Sequence, residues 1–301
     1  MTKFLLPLLA ACSAFAADQW VTRPVDDRTF QAYLEFFTYD RRVPLDLRVI
    51  DTEEREGIKR EHLSFQSTPG VRVFAQLYSL ATASGAGKRP AIVLLHGGSA
   101  RGKDGPGPKV LAALLAHAGW SVLAIDLLYF GERSADLFTT FSEQEKHDRL
   151  YNQPSAYLAW VTQTVKDVGR SLDLLVDQRG ADPKHLAIVG TSRGAIVSTI
   201  AGAAERRLSA VVLLYGGHFD AGERAHLPAA CPANYIGRIS PRPLLTINGN
   251  LDTDLVKDKE VMPLLRLAKP PKLSLWADTG HQYPTEEHRA AMVQWLRETL
   301  K

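Results

Sequence analysis

The chain is 301 residues long with 45% hydrophobic and 23% charged residues, the balance of a globular protein and not of a disordered or fibrous one. Its 36 basic and 33 acidic residues leave a formal net charge of +3, and the basic clusters are short and broken by acids, which argues against the cationic face of a dedicated nucleic-acid binder. At this length one α/β core buries most of the chain's surface without a disulfide or a metal to staple it.

The segment Met1 to Ala17 carries Lys3, an apolar stretch from Phe4 through the following alanines, and an A-x-A site at Ala14-Phe15-Ala16. That is the pattern of a signal peptide cleaved after Ala16, and it is too short to span a bilayer as a mature helix. Leu9-Ala10-Ala11-Cys12 also resembles the lipobox of bacterial lipoproteins, with Cys12 the acylated residue. Only on that second route does a membrane become a partner, and both processing routes imply export to the periplasm or the medium; the third reading is an uncleaved segment of the core. Cleavage removes Cys12 and lipidation consumes it, so Cys231 is expected as a free thiol. The expected organisation is a signal peptide over 1–16, an extension over 17–60 packing on the core, and one catalytic domain over 61–301.

Taken in chain order, Arg28 to Phe37 reads as a helix whose Phe30, Tyr33, Phe36 and Phe37 recur at helical spacing and serve packing. His62 to Gln66 and Val71 to Leu80 flank Thr68-Pro69-Gly70 and read as a hairpin. Ala91 to Leu95 is an apolar strand ending at His96-Gly97-Gly98, and Val110 to Gly119 a helix closed by glycine. Ser121 to Ile125 is the next strand, followed by a polar excursion from Tyr129 to Pro154 and a long helix from Ala156 to Gln178. Lys184 to Val189, Ser209 to Tyr215, Pro243 to Asn248 and Lys272 to Trp276 are further strands. Helices are expected at Ala195 to Arg207, Glu260 to Leu267 and Thr285 to Leu300. Alternating helices and strands that are apolar on both faces predict an α/β fold, a mostly parallel sheet covered on both sides. In such sheets, chemistry collects on the loops after the carboxyl ends of the strands.

The strongest motif in those loops is Gly190-Thr191-Ser192-Arg193-Gly194, a G-x-S-x-G placed between a strand and a helix. A serine on such an elbow is held in a strained backbone conformation, and the flanking glycines give room for close backbone approach. Serine requires a base, and the base a group that fixes its tautomer. Asp252 follows one downstream strand and His281 the next, giving the order Ser, Asp, His. Asp254, two residues on, leaves the acid open between two carboxylates. No Cys-x-x-Cys, His-Glu-x-x-His, G-x-G-x-x-G or phosphate loop occurs, so no cofactor and no metal is implied.

Leu94-Leu95-His96-Gly97-Gly98, Asp126 with Tyr129-Phe130-Gly131-Glu132-Arg133, Gly190 to Gly194, Gly249-Asn250-Leu251-Asp252 and Thr279-Gly280-His281 together resemble the α/β-hydrolase superfamily. The hairpin before the first parallel strand is similar to that of its acetyl xylan esterase, dienelactone hydrolase and prolyl oligopeptidase-like branch. The resemblance implies an α/β-hydrolase fold with a small lid. It assigns Ser192, Asp252 and His281 to the catalytic triad, with Asp252 preferred over Asp254 for its spacing from Gly249. It places the oxyanion hole at the backbone N–H groups of Gly97 or Gly98 and of Arg193. His96 is expected to brace its loop rather than transfer protons.

These features predict a serine esterase acting on a small-molecule or sugar ester. A peptidase or amidase with the same residues, or a catalytically silent hydrolase fold used for binding, are the alternatives. Arg193 either faces the substrate and favours negative charge, or points away to an acid. The stretch Gly216 to Arg242, where a lid is usually inserted, is too short for several helices, which predicts an open pocket for short acyl groups. Tyr129 and Phe130 in the polar excursion are the candidate substrate contacts.

Overall fold

The structure, a computed structural model, describes residues 19–82, 88–135, 140–219, 223 and 226–301. The proposed signal peptide and Cys12 lie outside them.

Nine strands form one sheet among the described residues, in the order β1-β2-β3-β5-β4-β6-β7-β8-β9. They are β1 (Arg48–Arg55), β2 (Ile58–Thr68), β3 (Val71–Leu80), β4 (Arg89–Leu95), β5 (Ser121–Ile125), β6 (Ala181–Thr191), β7 (Ala210–Leu214), β8 (Leu244–Gly249) and β9 (Lys272–Ala277). The first three are antiparallel, β3 pairs antiparallel with β5, and β4 to β9 run parallel. The helices are α1 (Gln19–Thr22), α2 (Asp27–Leu34), α3 (Pro106–His117), α4 (Glu143–Lys146), α5 (Pro154–Arg179), α6 (Arg193–Ala204), α7 (Met262–Leu267) and α8 (Glu286–Thr299).

The central strands β5 and β7 are buried at every position, which is why they read as uninterrupted apolar runs. Each sheet face carries its own core. On one, Trp160, Val168 and Leu172 of α5 and Val197 and Ile200 of α6 pack with Leu63, Phe65, Val93 and Ile188. On the other, Leu111 and Leu115 of α3 and Met292 and Leu296 of α8 pack with Ile92, Val122, Val189 and Val212. Helix α5 starts with proline in its first turn and stops at Gly180, whose φ of 68° forms a left-handed cap.

The N-terminal residues dock beneath the segment after β7. Phe30 and Phe37 stand edge-on to Tyr235, at ring separations of 5.5 and 6.0 Å. The Arg238 guanidinium lies 4.4 Å from the Phe30 ring centre and donates to the Val25 carbonyl.

Strand β1 has no counterpart in the apolar pattern. All eight of its residues are exposed, so no alternation marks it, and it exists through its ladder with β2. Its charges also discourage another chain from pairing with this edge.

Between Gly216 and Arg242 the described residues form three short 3-10 turns, Pro228–Ala230, Pro232–Asn234 and Ile236–Arg238. Ala230, Cys231, Ala233, Tyr235 and Ile236 are buried in the larger core. This part of the segment is a packed wall of the domain. No helix among the described residues is long and apolar enough to cross a membrane.

Candidate active site

At the carboxyl end of β6 the chain turns at Ser192 with φ 53° and ψ −119° and enters α6 at Arg193. A positive φ is strained for a residue with a side chain, and the structure holds it from both sides. The Ser192 N–H donates to the Leu214 carbonyl at 2.8 Å, while the Ser192 carbonyl accepts from Ala195 and Ile196. A Cβ on Gly190 would lie 2.7 Å from the Gly194 carbonyl carbon, and one on Gly194 would lie 2.6 Å from the Leu95 carbonyl oxygen. Both glycines are needed because backbone passes where a side chain would stand.

Three residues far apart in sequence meet at this elbow. His281 Nε2 is 2.8 Å from Ser192 Oγ, and its Nδ1 is 2.8 Å from Asp252 Oδ2. With Nδ1–H donating to the carboxylate, Nε2 is the lone pair that accepts the serine hydroxyl. The other Asp252 oxygen accepts the backbone N–H groups of Asp254 and Leu255, each at 2.9 Å. Burial pushes the Asp252 carboxyl up, but the His281 hydrogen bond and those backbone donors outweigh it and hold it below the ordinary value. Asp254 is exposed, so of the two carboxylates left open by the sequence, Asp252 is the one in contact with the histidine.

The loop after β4 faces the serine from the other side. A Cβ on Gly97 would stand 3.2 Å from Ser192 Cβ and 3.8 Å from its Oγ. Gly98 is exposed, and nothing lies within 4 Å of the place a Cβ would take there. His96 is buried, donates from Nδ1 to the Gly97 carbonyl at 2.6 Å and accepts the Leu127 N–H at Nε2. Burial pushes its pKa down, so it is a neutral brace between two loops.

Further along, the Lys103 side chain is fully buried against Asp126 at 3.0 Å, Asp104 at 2.7 Å and Glu132 at 2.5 Å. Burial alone would push this ammonium down, but the three carboxylates overrule it and raise its pKa. Asp126 also accepts the N–H groups of Lys103 and Glu132, which ties the loop after β4 to the end of β5. On the His281 loop, Tyr283 packs its ring against Gly107 at the start of α3, and burial pushes its phenol up to about 12.

One expected substrate contact lies in the core instead. Phe130 is fully buried, edge-on to His96 at 5.3 Å, so it supports the loop from below and is not placed to touch substrate. An aromatic in a polar stretch reads as available, but this one is swallowed by the core when the chain turns back at Gly131. Tyr129 is half-buried with φ 74° and packs on the same core.

Arg193 turns away to an acid. Its guanidinium pairs with Glu223, both side chains buried, and lies 3.9 Å from the centre of the Tyr151 ring. His226 stacks on Tyr157 at 3.9 Å and reaches Glu223 Oε2 at 3.3 Å. None of Glu223, His226, Tyr151 or Lys103 stands out in the sequence, because no short-range motif links them. Cys231 is a buried free thiol beside His218, Nε2 to Sγ 3.0 Å. No cluster of three metal-ligating side chains occurs among the described residues.

Residues 90–222 match the family described as the alpha/beta hydrolase fold. No curated protein matches the sequence. Among solved structures, the chain is similar to acetyl xylan esterase 1 from Thermoanaerobacterium sp. JW/SL YS485, with TM-score 0.67 at 17% identity, covering 99% of this chain and 100% of that one. It is also similar to the acetyl xylan esterase from Paenibacillus sp. R4, with TM-score 0.65 at 16% identity over 94% of this chain and 99% of that one. A third likeness is to the methylesterase BT1017, with TM-score 0.66 at 17% identity over 95% of this chain, which spans 63% of the length of that one. The architecture is that of the α/β hydrolases.

Proposed function

We propose that this chain, which has the α/β-hydrolase fold, is an exported serine esterase that hydrolyses carboxylic esters with short acyl groups. The observation that carries the reading is the unbroken hydrogen-bonded chain from Ser192 through His281 to Asp252, set on a strained elbow.

Ser192 Oγ attacks the acyl carbon while His281 Nε2 takes its proton, and Asp252 stabilises the imidazolium so formed. The carbonyl oxygen becomes an oxyanion that receives the backbone N–H of Arg193, at the amino end of α6, and of Gly97 or Gly98. Collapse expels the alcohol, which takes the proton back from His281. Water then attacks the acyl-enzyme by the same proton transfers and releases the acid. None of these steps calls for a cofactor.

The acyl preference is supported by the segment after β7, whose described turns pack into the core instead of forming a detachable helical cover. Export is supported by the charged, apolar and A-x-A succession ahead of Ala17.

The test is labelling with a fluorophosphonate, followed by hydrolysis of esters of graded acyl length with acetylated sugars included. Labelling at Ser192 and fastest turnover of acetyl esters are expected. Absence of labelling refutes the serine mechanism, and long-chain triglycerides hydrolysed with a jump in rate above their solubility limit refute the acyl preference.

A further inference from the structure

The residue that follows the nucleophile carries a permanent positive charge. Left alone, a guanidinium at Arg193 would draw anionic groups toward the nucleophile. The structure places a carboxylate against it. We propose that Glu223, by neutralising Arg193, makes the site select esters whose acyl group is uncharged and discriminate against those bearing a carboxylate. This inference rests on the esterase reading above.

Four observations converge on that pair. First, both side chains are withdrawn from water, with Arg193 6% exposed and Glu223 0%, so solvent does little to screen either charge and the partner must do it. Second, the cation is seated over Tyr151 at 3.9 Å, which fixes the direction of the guanidinium as well as its charge. Third, the other Glu223 oxygen lies 3.3 Å from His226 Nε2, and that same nitrogen donates to the Tyr151 carbonyl at 2.9 Å. His226 therefore lies against the acid while its N–H is held by the residue that carries the cation's platform. Fourth, burial keeps His226 neutral, with its pKa pushed down to about 3 and Arg193 acting in the same direction. It lines the pair without adding a second positive charge.

The pair also sits next to the nucleophile. Arg193 opens α6 directly after Ser192, and Glu223 and His226 come from the loop that leaves β7 beside it. At roughly 8 Å and an effective dielectric near 20, an uncompensated unit charge changes the preference between a charged and an uncharged acyl group by about thirtyfold.

The experiment compares methyl butyrate with monomethyl succinate, two methyl esters with chains of the same length, one ending in a methyl group and the other in a carboxylate. The wild-type enzyme is expected to favour methyl butyrate in kcat/KM by at least about tenfold, a measurement that needs no variant. In Glu223→Gln the ratio of succinate to butyrate is expected to rise about tenfold or more, and in Arg193→Gln, which removes the cation, to fall below the wild-type value. Circular dichroism and fluorophosphonate labelling identify which variants fold. A wild-type enzyme without preference, or a folded variant whose ratio stays within about twofold of wild type, overturns the inference while leaving the esterase reading intact. A wild-type protein that neither labels nor hydrolyses any ester overturns both.

Discussion

Tyr215 stands edge-on to His281, ring centres 6.0 Å apart at an interplanar angle of 86°, and its hydroxyl is 2.8 Å from Thr279 Oγ1. The residue that follows β7 thus holds both the imidazole ring and the loop that carries it. Its φ of 49° is another strained position beside the site. Tyr215→Phe keeps the ring and deletes the hydroxyl, so the histidine loop loses a hydrogen bond worth about 1 kcal/mol. Ester turnover is expected to fall about fivefold with KM little changed. Steady-state kinetics checks this, and a change in KM alone would assign the hydroxyl to substrate binding.

Ser192→Ala is expected to abolish ester hydrolysis and leave the thermal midpoint near wild type, because its hydroxyl faces the site and not the core. Asp252→Asn is expected to lose on the order of 10²-fold or more in kcat/KM, while Asp254→Asn stays near wild type. The reverse order in a side-by-side assay would reassign the acid.

Activity is expected to rise with pH from mildly acidic to neutral conditions. Only an unprotonated His281 accepts the serine proton, and Asp252, held below the ordinary carboxylate value, stays ionised across that range. The acid limb therefore belongs to the histidine alone. A profile of kcat/KM against pH tests this, since a flat one excludes a histidine base.

Stability has its own pH dependence. Burial pushes the pKa of both His218 and His226 down to about 3, whereas the unfolded chain protonates histidine near about 6.5. Between those values the unfolded state binds more protons, so stability falls as pH falls. The loss from pH 7 to 5 is expected to be about 2 kcal/mol for each histidine. Urea unfolding at the two pH values measures it, and His218→Gln is expected to show a shallower dependence.

Lys103→Met removes the cation from a buried cluster and leaves Asp126 without its ammonium. Breaking one side of such a pair is expected to cost about 3–5 kcal/mol. Replacing Asp126 by leucine in the same chain is expected to recover part of that loss, since the remaining buried charge goes with it. Thermal denaturation of the single and double variants checks both statements.

How much of this molecule can be read along the chain is set by the range of the forces involved. The parallel strands were legible because a strand buried on both faces must be apolar throughout, as β5 and β7 are. The Ser192 elbow was legible because close backbone approach forces glycine at 190 and 194, and that constraint lies within five residues. His281 and an acid near 252 were legible because such groups follow strands at the carboxyl edge of the sheet. Strand β1 was not, since an exposed charged edge has no burial pattern to betray it. Nor was the burial of Phe130, which depends on where the chain turns back onto His96. The partner of Arg193 lies thirty residues away in Glu223, and the cage of Lys103 draws Glu132 from another loop. Charge pairing at that distance is decided by which loops the sheet order brings together, and a linear pattern of hydrophobicity records which side of an element faces inward, not which loops meet above it.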